Sequence, residues 1–146
     1  MNRHSLTVAV VGATGVVGRT MIQVLNEREF PLGELRLLAS GRSAGRTVSV
    51  DGRTLEIGEA VPEAFDGVDI AFFSAGADVS TELAPAVVAR GATVIDNSSA
   101  WRMDPAVPLV VSQVNPLVSL FFFERRGAAG CRAASIRPAR SGQAAR

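Results

Sequence analysis

Residues 8–20 read V-A-V-V-G-A-T-G-V-V-G-R-T and decide the fold. Apolar and small residues run into three glycines, and an amphipathic segment follows from Val16 to Leu25. This order predicts a strand, a tight turn and a helix, the context in which such glycine spacing has a mechanism. Gly12 can adopt the positive φ of a sharp turn, Gly15 admits a phosphate close to the backbone, and Gly18 lets the helix pack on the strand.

The start of that helix is a predicted anion site. The first N–H groups of a helix have no intrahelical acceptor, and they lie at the positive end of the helix dipole. We therefore expect the pyrophosphate of a dinucleotide at this turn. The alternative is a glycine-rich strand-to-helix turn that binds no ligand.

The composition is typical of one α/β domain. The chain has 146 residues, of which 47% are hydrophobic and 20% charged. No apolar run approaches the roughly 20 residues of a membrane helix, and the first residues, M-N-R-H-S, lack the apolar core of an export signal. The single cysteine, Cys131, has no partner for an internal disulfide. These features predict a cytoplasmic protein with no membrane contact.

Strand-like and helix-like segments alternate along the chain. Asp51-Gly52 marks a small antiparallel hairpin, Asp78 is the expected N-cap of the second helix, and Pro85 suggests that this helix becomes regular late. The predicted strands are 6–11, 34–40, 69–74, 93–96 and 109–111, the hairpin is 47–57, and the helices are 15–27 and 78–90. This order predicts a doubly wound, Rossmann-like, mostly parallel sheet.

The end of the second predicted strand indicates the cofactor. In a dinucleotide-binding unit this point lies beside the adenosine ribose, where an acidic residue would bind the two ribose hydroxyls of NAD. The chain instead has Ser40, Arg42 and Ser43 here. A guanidinium presents a planar fork of donors to phosphate oxygens, so these residues favour NADP. The alternative is a solvated loop arginine without a role.

Four segments resemble the aspartate-β-semialdehyde dehydrogenase family in its N-terminal, NADP-binding half. They are G-A-T-G-V-V-G at 12–18, S-G-R-S-A-G at 40–45, F-S-A-G at 73–76 and V-I-D-N-S-S-A-W-R-M-D-P at 94–105. The last segment is far more specific than the first, which many dinucleotide-binding proteins share. The resemblance covers about residues 6–116, whereas the family's enzymes are at least about twice as long and have a second domain for substrate and dimerisation.

The resemblance assigns roles to individual residues. It implies that Thr14, Gly15, Val16 and Val17 contact the pyrophosphate and that Arg42 and Ser43 hold the 2′-phosphate. Further along the cofactor, Ser74, Ala75 and Gly76 would border the path from adenosine to nicotinamide, with Asn97 near the reaction centre. Arg102 resembles the family arginine that binds the phosphate of the acyl phosphate. An ion pair with Asp104 is the alternative for Arg102, and Trp101 is interpreted as a packing residue.

The implied reaction reduces aspartyl phosphate to aspartate semialdehyde with NADPH, as part of lysine, methionine and threonine biosynthesis. It needs a nucleophilic cysteine in an Asn-Pro-Asn-Cys-type turn and a downstream histidine. Neither motif is recognisable here. Gln113 stands where the family usually has Glu, Cys131 lies between Gly130 and Arg132, and the only histidine is His4. Cys131 is therefore only a weak catalytic candidate.

Residues 117–146 differ in character from the rest. The segment 124–146 holds six Arg and one Glu, whereas 1–123 holds nine Arg and thirteen acidic residues. We therefore expect an NADP-binding domain at 1–116 and a divergent, disordered or frame-shifted tail at 117–146, without the family's second domain. The basic tail has no interleaved aromatic residues, so no nucleic-acid partner is predicted.

Three hypotheses for function remain at this stage. The first is a truncated, catalytically incomplete aspartate-semialdehyde dehydrogenase, and the second is a stand-alone NADP-binding module or an inert fragment. The third is N-acetyl-glutamyl-phosphate reductase, which lacks the Asn-Ser-Ser-Ala-Trp run found at 97–101. The expected ligands are NADP and a small acyl phosphate or semialdehyde, with no metal. The family forms homo-oligomers, and a half-enzyme would expose an apolar face and self-associate.

Overall fold

The computed structural model describes residues 5–50, 52–111 and 113–115, together with the backbone of 133–136. In this part of the chain there are eight strands, two α-helices and a short 3₁₀ helix at Pro62–Phe65. The strands are β1 Leu6–Val11, β2 Leu32–Ala39, β3 Thr47–Val50, β4 Arg53–Glu59, β5 Ile70–Phe73, β6 Thr93–Asp96, β7 Leu109–Val110 and β8 Ala133–Ile136. The helices are α1 Val16–Glu27 and α2 Ala77–Ala89.

The strands form one sheet in the order β3-β4-β2-β1-β5-β6-β8-β7. Every neighbouring pair is parallel except β3 and β4, which are antiparallel. From β1 the chain first adds β2 on one side and later adds β5 on the other. The predicted doubly wound, Rossmann-like fold is confirmed, and its topological switch point lies between β1 and β5.

The central strand β1 is buried on both faces. Its residues Val8 to Val11 are each 0% exposed, as the continuous apolar run in the sequence predicts. Because side chains alternate along a strand, one face packs in a cluster with helix α1 and the other in a cluster with α2. The α1 cluster includes Val8, Val10, Ile22, Leu25 and Leu37, and the α2 cluster includes Ala9, Val11, Phe73, Leu83 and Val87.

The predicted hairpin extends the main sheet. Strands β3 and β4 pair antiparallel as expected, but β4 also pairs in parallel with β2, where Ile57 lies opposite Leu37. Both of these side chains are buried, and this burial is why the hairpin joins the sheet. Asp51, the first residue of the predicted turn, lies outside the described residues.

The prediction for the start of α2 was wrong. The helix begins at Ala77 with Gly76 as its N-cap, and Asp78 lies in its first turn rather than at the cap. Gly76 has a φ of 92°, a value that suits glycine. Pro85 lies inside the helix. It is exposed to solvent, so its ring does not disturb the core.

The last strand comes from the segment predicted to be a divergent tail. Strand β8 lies between β6 and β7 and is parallel to both. The remaining residues from 116 onwards, including Cys131, lie outside the described part, so the division at residue 116 stays a prediction. Within the part that the structure describes, neither helix is long and apolar enough to cross a membrane.

Candidate functional site

Four chain segments meet at the carboxyl edge of the parallel sheet. They follow β1, β2, β5 and β6 and begin at Gly12, Ser40, Ser74 and Asn97. A backbone hydrogen bond links the start of each of three segments to the end of the neighbouring strand. The N–H of Gly12 donates to Leu38 O at 2.9 Å, that of Ser74 to Val11 O at 2.9 Å, and that of Asn97 to Phe73 O at 3.2 Å. The fold therefore brings the predicted glycine turn, ribose loop, small-residue segment and Asn97 to one edge, where open α/β sheets bind ligands.

The turn after β1 leaves no space for a side chain at Gly12. Its φ is 84°, and a Cβ placed there would lie 2.7 Å from the carbonyl oxygen of Ser74. A Cβ at Gly18 would also be too close to the carbonyl group of Gly12. Two predicted roles, the sharp turn and the close packing of helix on strand, are therefore both visible in the structure.

The N-terminus of α1 is open to a ligand. Gly15 is the N-cap, makes no side-chain capping bond, and the first turn contains no acidic residue. Among the described residues nothing accepts a hydrogen bond from the N–H groups of Val16 and Val17. The side chains of these two valines are 83% and 47% exposed, so neither is held in the core. An anion at this point would accept hydrogen bonds from N–H groups that have no acceptor in the described part of the chain.

The loop after β2 is a tight turn. The N–H groups of Ser43 and Ala44 both donate to Ser40 O, at 2.8 and 3.2 Å. Arg42 is exposed, and no described residue forms an ion pair with it. Its guanidinium is therefore not engaged by a carboxylate of the described residues.

A carboxylate that the sequence analysis missed lies beside this loop. A Cβ at Gly41 would lie 2.8 Å from Oε1 of Glu59. Glu59 ends β4, which pairs in parallel with β2, so Ala39 and Glu59 are neighbours at the ends of adjacent strands. The predicted hairpin ended at residue 57 and was not expected to join the sheet. The contact between Glu59 and the loop after β2 was therefore not predicted.

The segment after β5 contains a polar atom without a partner. The hydroxyl of Ser74 is buried and has no hydrogen-bond partner among the described residues. Ala75 and Gly76 follow, and α2 then begins. Small residues therefore follow β5 at the carboxyl edge of the sheet, and their role beside a ligand stays a prediction.

The loop after β6 is held by a buried carboxylate. Asp96 is 0% exposed and accepts hydrogen bonds from the N–H and the hydroxyl of Ser98, at 2.7 and 2.8 Å, and from the hydroxyl of Ser80 in α2. The indole Nε1 of Trp101 donates to the Ser80 oxygen at 2.8 Å. Trp101 packs against the α2 cluster as interpreted from the sequence, but it also makes this polar contact.

Arg102 lies beside Asn97. Its Nη2 donates to the Asn97 carbonyl at 3.1 Å, and its Nε is buried with no partner among the described residues. Asp104 forms no ion pair with Arg102, and its carboxylate accepts a hydrogen bond from the N–H of Ala106 at 2.8 Å. The ion-pair alternative from the sequence is therefore not what the structure shows. A buried donor without an acceptor is costly, and an oxyanion would supply the acceptor.

The catalytic candidates from the sequence are not placed by the structure. Cys131 and His4 lie outside the described residues. Within the described ranges, no group of three His, Cys, Asp or Glu side chains could hold a metal ion.

Comparison with known proteins identifies the family. Residues 7–119 match the family described as semialdehyde dehydrogenase, NAD binding domain. The chain belongs to this family. The matched range agrees with the resemblance predicted for about residues 6–116, and the predicted family is confirmed.

Several relatives of the chain are named aspartate-semialdehyde dehydrogenase. The enzyme from Bacillus subtilis is 57% identical over 112 residues, which are 77% of this chain and 32% of the relative. The enzyme from Aquifex aeolicus is 56% identical over 110 residues, again 32% of its length. The chain thus spans about a third of the length of these relatives.

Solved structures of the same family share the fold. Aspartate semialdehyde dehydrogenase II from Vibrio cholerae, complexed with ASA, has a TM-score of 0.79 and 43% identity, and the match covers 92% of this chain and 42% of that one. The Candida albicans enzyme, crystallised with NADP, has a TM-score of 0.68 and 25% identity, and the match covers 90% and 42% of the two chains.

Substitution of Gly12 tests the close approach of the two turns. We expect Gly12→Ala to lower the free energy of unfolding by about 3 kcal/mol or more, because it adds a steric conflict with Ser74 to the cost of a positive φ. Gly67 is the matched control, since its φ is 74° and a Cβ there would meet nothing within 4 Å. Gly67→Ala should cost only about 1–2 kcal/mol. Equal losses in urea denaturation of the two variants would contradict the steric argument.

Proposed function

We propose that residues 1–116 form the NADP-binding part of an aspartate-semialdehyde dehydrogenase. The observation that carries this proposal is the set of N–H donors at the start of α1 that have no acceptor in the described ranges. They lie beside a turn in which Gly12 excludes any side chain. The relatives named aspartate-semialdehyde dehydrogenase support the choice of reaction. That reaction would reduce aspartyl phosphate to the semialdehyde and release phosphate, with NADPH supplying hydride when bound. The cytoplasmic location predicted from the sequence belongs to the same proposal.

The pyrophosphate of the cofactor would lie against the turn from Gly12 to Gly18. The N–H groups of Thr14, Val16 and Val17 would donate to its oxygens, and Gly15 would let them approach the backbone. Two further features fit this position: the exposed valines leave the approach open, and no acidic side chain in the first turn of α1 repels the phosphate. Backbone donors held by helix and strand need no reorganisation to bind the anion.

At the ribose, a cation and a carboxylate compete to set cofactor preference. Arg42, with the hydroxyls of Ser40 and Ser43, would hold a 2′-phosphate, whereas Glu59 would favour the free ribose hydroxyls of NAD. Both charged side chains are exposed, so their simple Coulomb interactions are screened by solvent. A guanidinium adds directional, charge-assisted hydrogen bonds to phosphate, and Glu59 can turn into solvent. We therefore propose NADP as the preferred cofactor.

The remaining site residues would serve the substrate end. Ser74, Ala75 and Gly76 would border the cofactor, with the unpartnered Ser74 hydroxyl available to it. Asn97 would lie near the reaction centre. Arg102 would bind the phosphate group of the substrate, which supplies the acceptor that its buried Nε lacks.

The second candidate is an NADP-binding module without turnover, or an inert fragment. It is favoured by the sequence around Cys131, where the expected Asn-Pro-Asn-Cys-type turn is not recognisable. The nucleophile must be a thiolate activated by a neighbouring base, so a cysteine outside that turn is a poor substitute.

Loss of the Arg42 guanidinium tests the cofactor preference. We expect Arg42→Ala to weaken NADPH binding by roughly 10–100-fold, because charge-assisted hydrogen bonds contribute about 1.5–3 kcal/mol each, and to leave NADH binding unchanged. Glu59→Gln should weaken NADH relative to NADPH. Arg46→Ala is the control, since Arg46 is an exposed arginine of the same loop. Fluorescence titration measures all four proteins, and equal NADPH and NADH affinities in the unmodified chain would contradict the proposal.

An activity assay separates the two candidate functions. We expect the purified chain to bind NADPH without measurable oxidation of aspartate semialdehyde in the presence of NADP and phosphate, because it lacks a recognisable cysteine motif. Binding with turnover would show that Cys131 is a competent nucleophile, and Cys131→Ser should then abolish the activity. Failure to bind either cofactor would leave only the inert fragment.

An apolar cleft between α1 and β5 leads to a prediction about assembly. Val17, Thr20, Met21, Val24, Leu25 and Phe72 line an open cleft of about 310 Å³. Val24 is 44% exposed, and grouped apolar residues of this kind favour association. We expect the chain to elute as a dimer or larger species in size-exclusion chromatography and Val24→Glu to shift it toward monomer. Val61→Glu, at a valine 38% exposed elsewhere, should have no such effect. A clean monomer that unfolds cooperatively would contradict this prediction.

A further inference from the structure

We propose that Asp96, Ser80 and Ser98 are positioning residues that hold the loop from Asn97 to Arg102 in its anion-binding arrangement. This inference rests on the proposed role of Arg102 in binding the substrate phosphate. It concerns three side chains that would not touch cofactor or substrate themselves. Their role follows from hydrogen bonds between three separate parts of the fold.

The Asp96 carboxylate joins the end of β6 to the loop and to α2. It accepts two hydrogen bonds from Ser98, one from the N–H and one from the hydroxyl, and a third from the Ser80 hydroxyl. The oxygen of Ser98 in turn accepts the N–H of Ala100 at 3.2 Å. The first four residues of the loop are therefore fixed relative to a carboxylate that is 0% exposed. A buried polar group is tolerated when its hydrogen bonds are made, so each of these contacts has a structural cost if lost.

The Ser80 hydroxyl extends this restraint to the far end of the loop. It donates to Asp96 and accepts from the indole of Trp101, so its one hydrogen and its oxygen are both used. The Trp101 ring is also packed on the α2 cluster. Arg102 is the next residue, and its guanidinium donates back to the Asn97 carbonyl at the start of the loop. Both ends of the loop are thus tied to one buried carboxylate.

The neutral donors around Asp96 leave the charge of Arg102 available. A buried carboxylate is commonly paired with a cation, and Arg102 is close in sequence. Here the carboxylate has three neutral donors, and among the described residues it forms no ion pair. Arg102 instead donates to a neutral carbonyl, and its buried Nε has no partner within the part of the chain that the structure describes. The network therefore orients the guanidinium without neutralising it, which is what an anion site requires.

The test compares phosphate binding in variants of the half-buried Ser98. Inorganic phosphate is titrated into the full chain, and the single indole N–H resonance, from Trp101 beside Arg102, is followed by NMR. Ser98→Ala removes the hydroxyl, Ser98→Thr keeps it, and Ser99→Ala is the control because Ser99 is exposed with no side-chain bond among the described residues. Arg102→Gln establishes that the signal reports the proposed anion site. NADPH affinity is measured in parallel.

We expect Ser98→Ala to weaken phosphate binding by about tenfold or more, while Ser98→Thr and Ser99→Ala match the unmodified chain. The affinity for NADPH should stay within about twofold in these three variants. If the Ser98 hydroxyl only stabilised the fold, its loss would lower the affinities for phosphate and for NADPH together. Asp96→Asn should have a larger effect on phosphate, and Ser98→Ala decides the question where Asp96→Asn does not fold. Unchanged phosphate affinity in Ser98→Ala, or no phosphate response in the unmodified chain, would overturn the inference. Absence of NADPH binding would instead overturn the proposed function, and the phosphate comparison would still stand.

Discussion

The turn after β1 passes so close to the backbone after β5 that only glycine fits at position 12. A Cβ there would lie 2.7 Å from the Ser74 carbonyl oxygen. This approach occurs at the topological switch point, where the chain leaves β1 toward β2 and later returns to β5. The site depends on it, because the same turn directs the first N–H groups of α1 toward the carboxyl edge of the sheet.

The candidate site is built from groups that the fold leaves without partners. The N–H groups of Val16 and Val17, the Ser74 hydroxyl and the Nε of Arg102 have no acceptor or donor among the described residues. They lie on the segments that follow β1, β5 and β6. Buried or helix-terminal polar groups cost free energy when unpaired. In the proposed function the cofactor pyrophosphate would accept from the N–H groups of α1, and the substrate phosphate would accept from Arg102.

Much of this arrangement could be predicted from local sequence. The continuous apolar run of β1 and the glycine spacing after it identified the strand, the turn and α1, because both signals are local and periodic. The block at 94–105 identified the family. The start of α2 was predicted incorrectly because aspartate is a preferred N-cap residue, whereas the helix begins after Gly76 and places Asp78 in its first turn. Pro85 does not delay the helix, because it occupies an exposed position on it.

Contacts between distant segments could not be predicted in this way. Glu59 reaches the ribose loop only because β4 pairs with β2, and that pairing depends on burial of Ile57 and Leu37 against each other. The Ser80 hydroxyl donates to Asp96 because α2 packs over β6. A serine within a helical segment does not by itself predict such a contact. A buried aspartate at the end of β6 is the local feature of the sequence that indicates a polar network there.

The most direct test of the central claim is the amide NMR spectrum of the chain during titration with NADPH. Binding as proposed predicts that the largest shift changes fall on the N–H groups of Thr14, Gly15, Val16 and Val17, with a second group at Arg42 and Ser43. Shift changes confined to other parts of the chain, or none at saturating NADPH, would contradict the account.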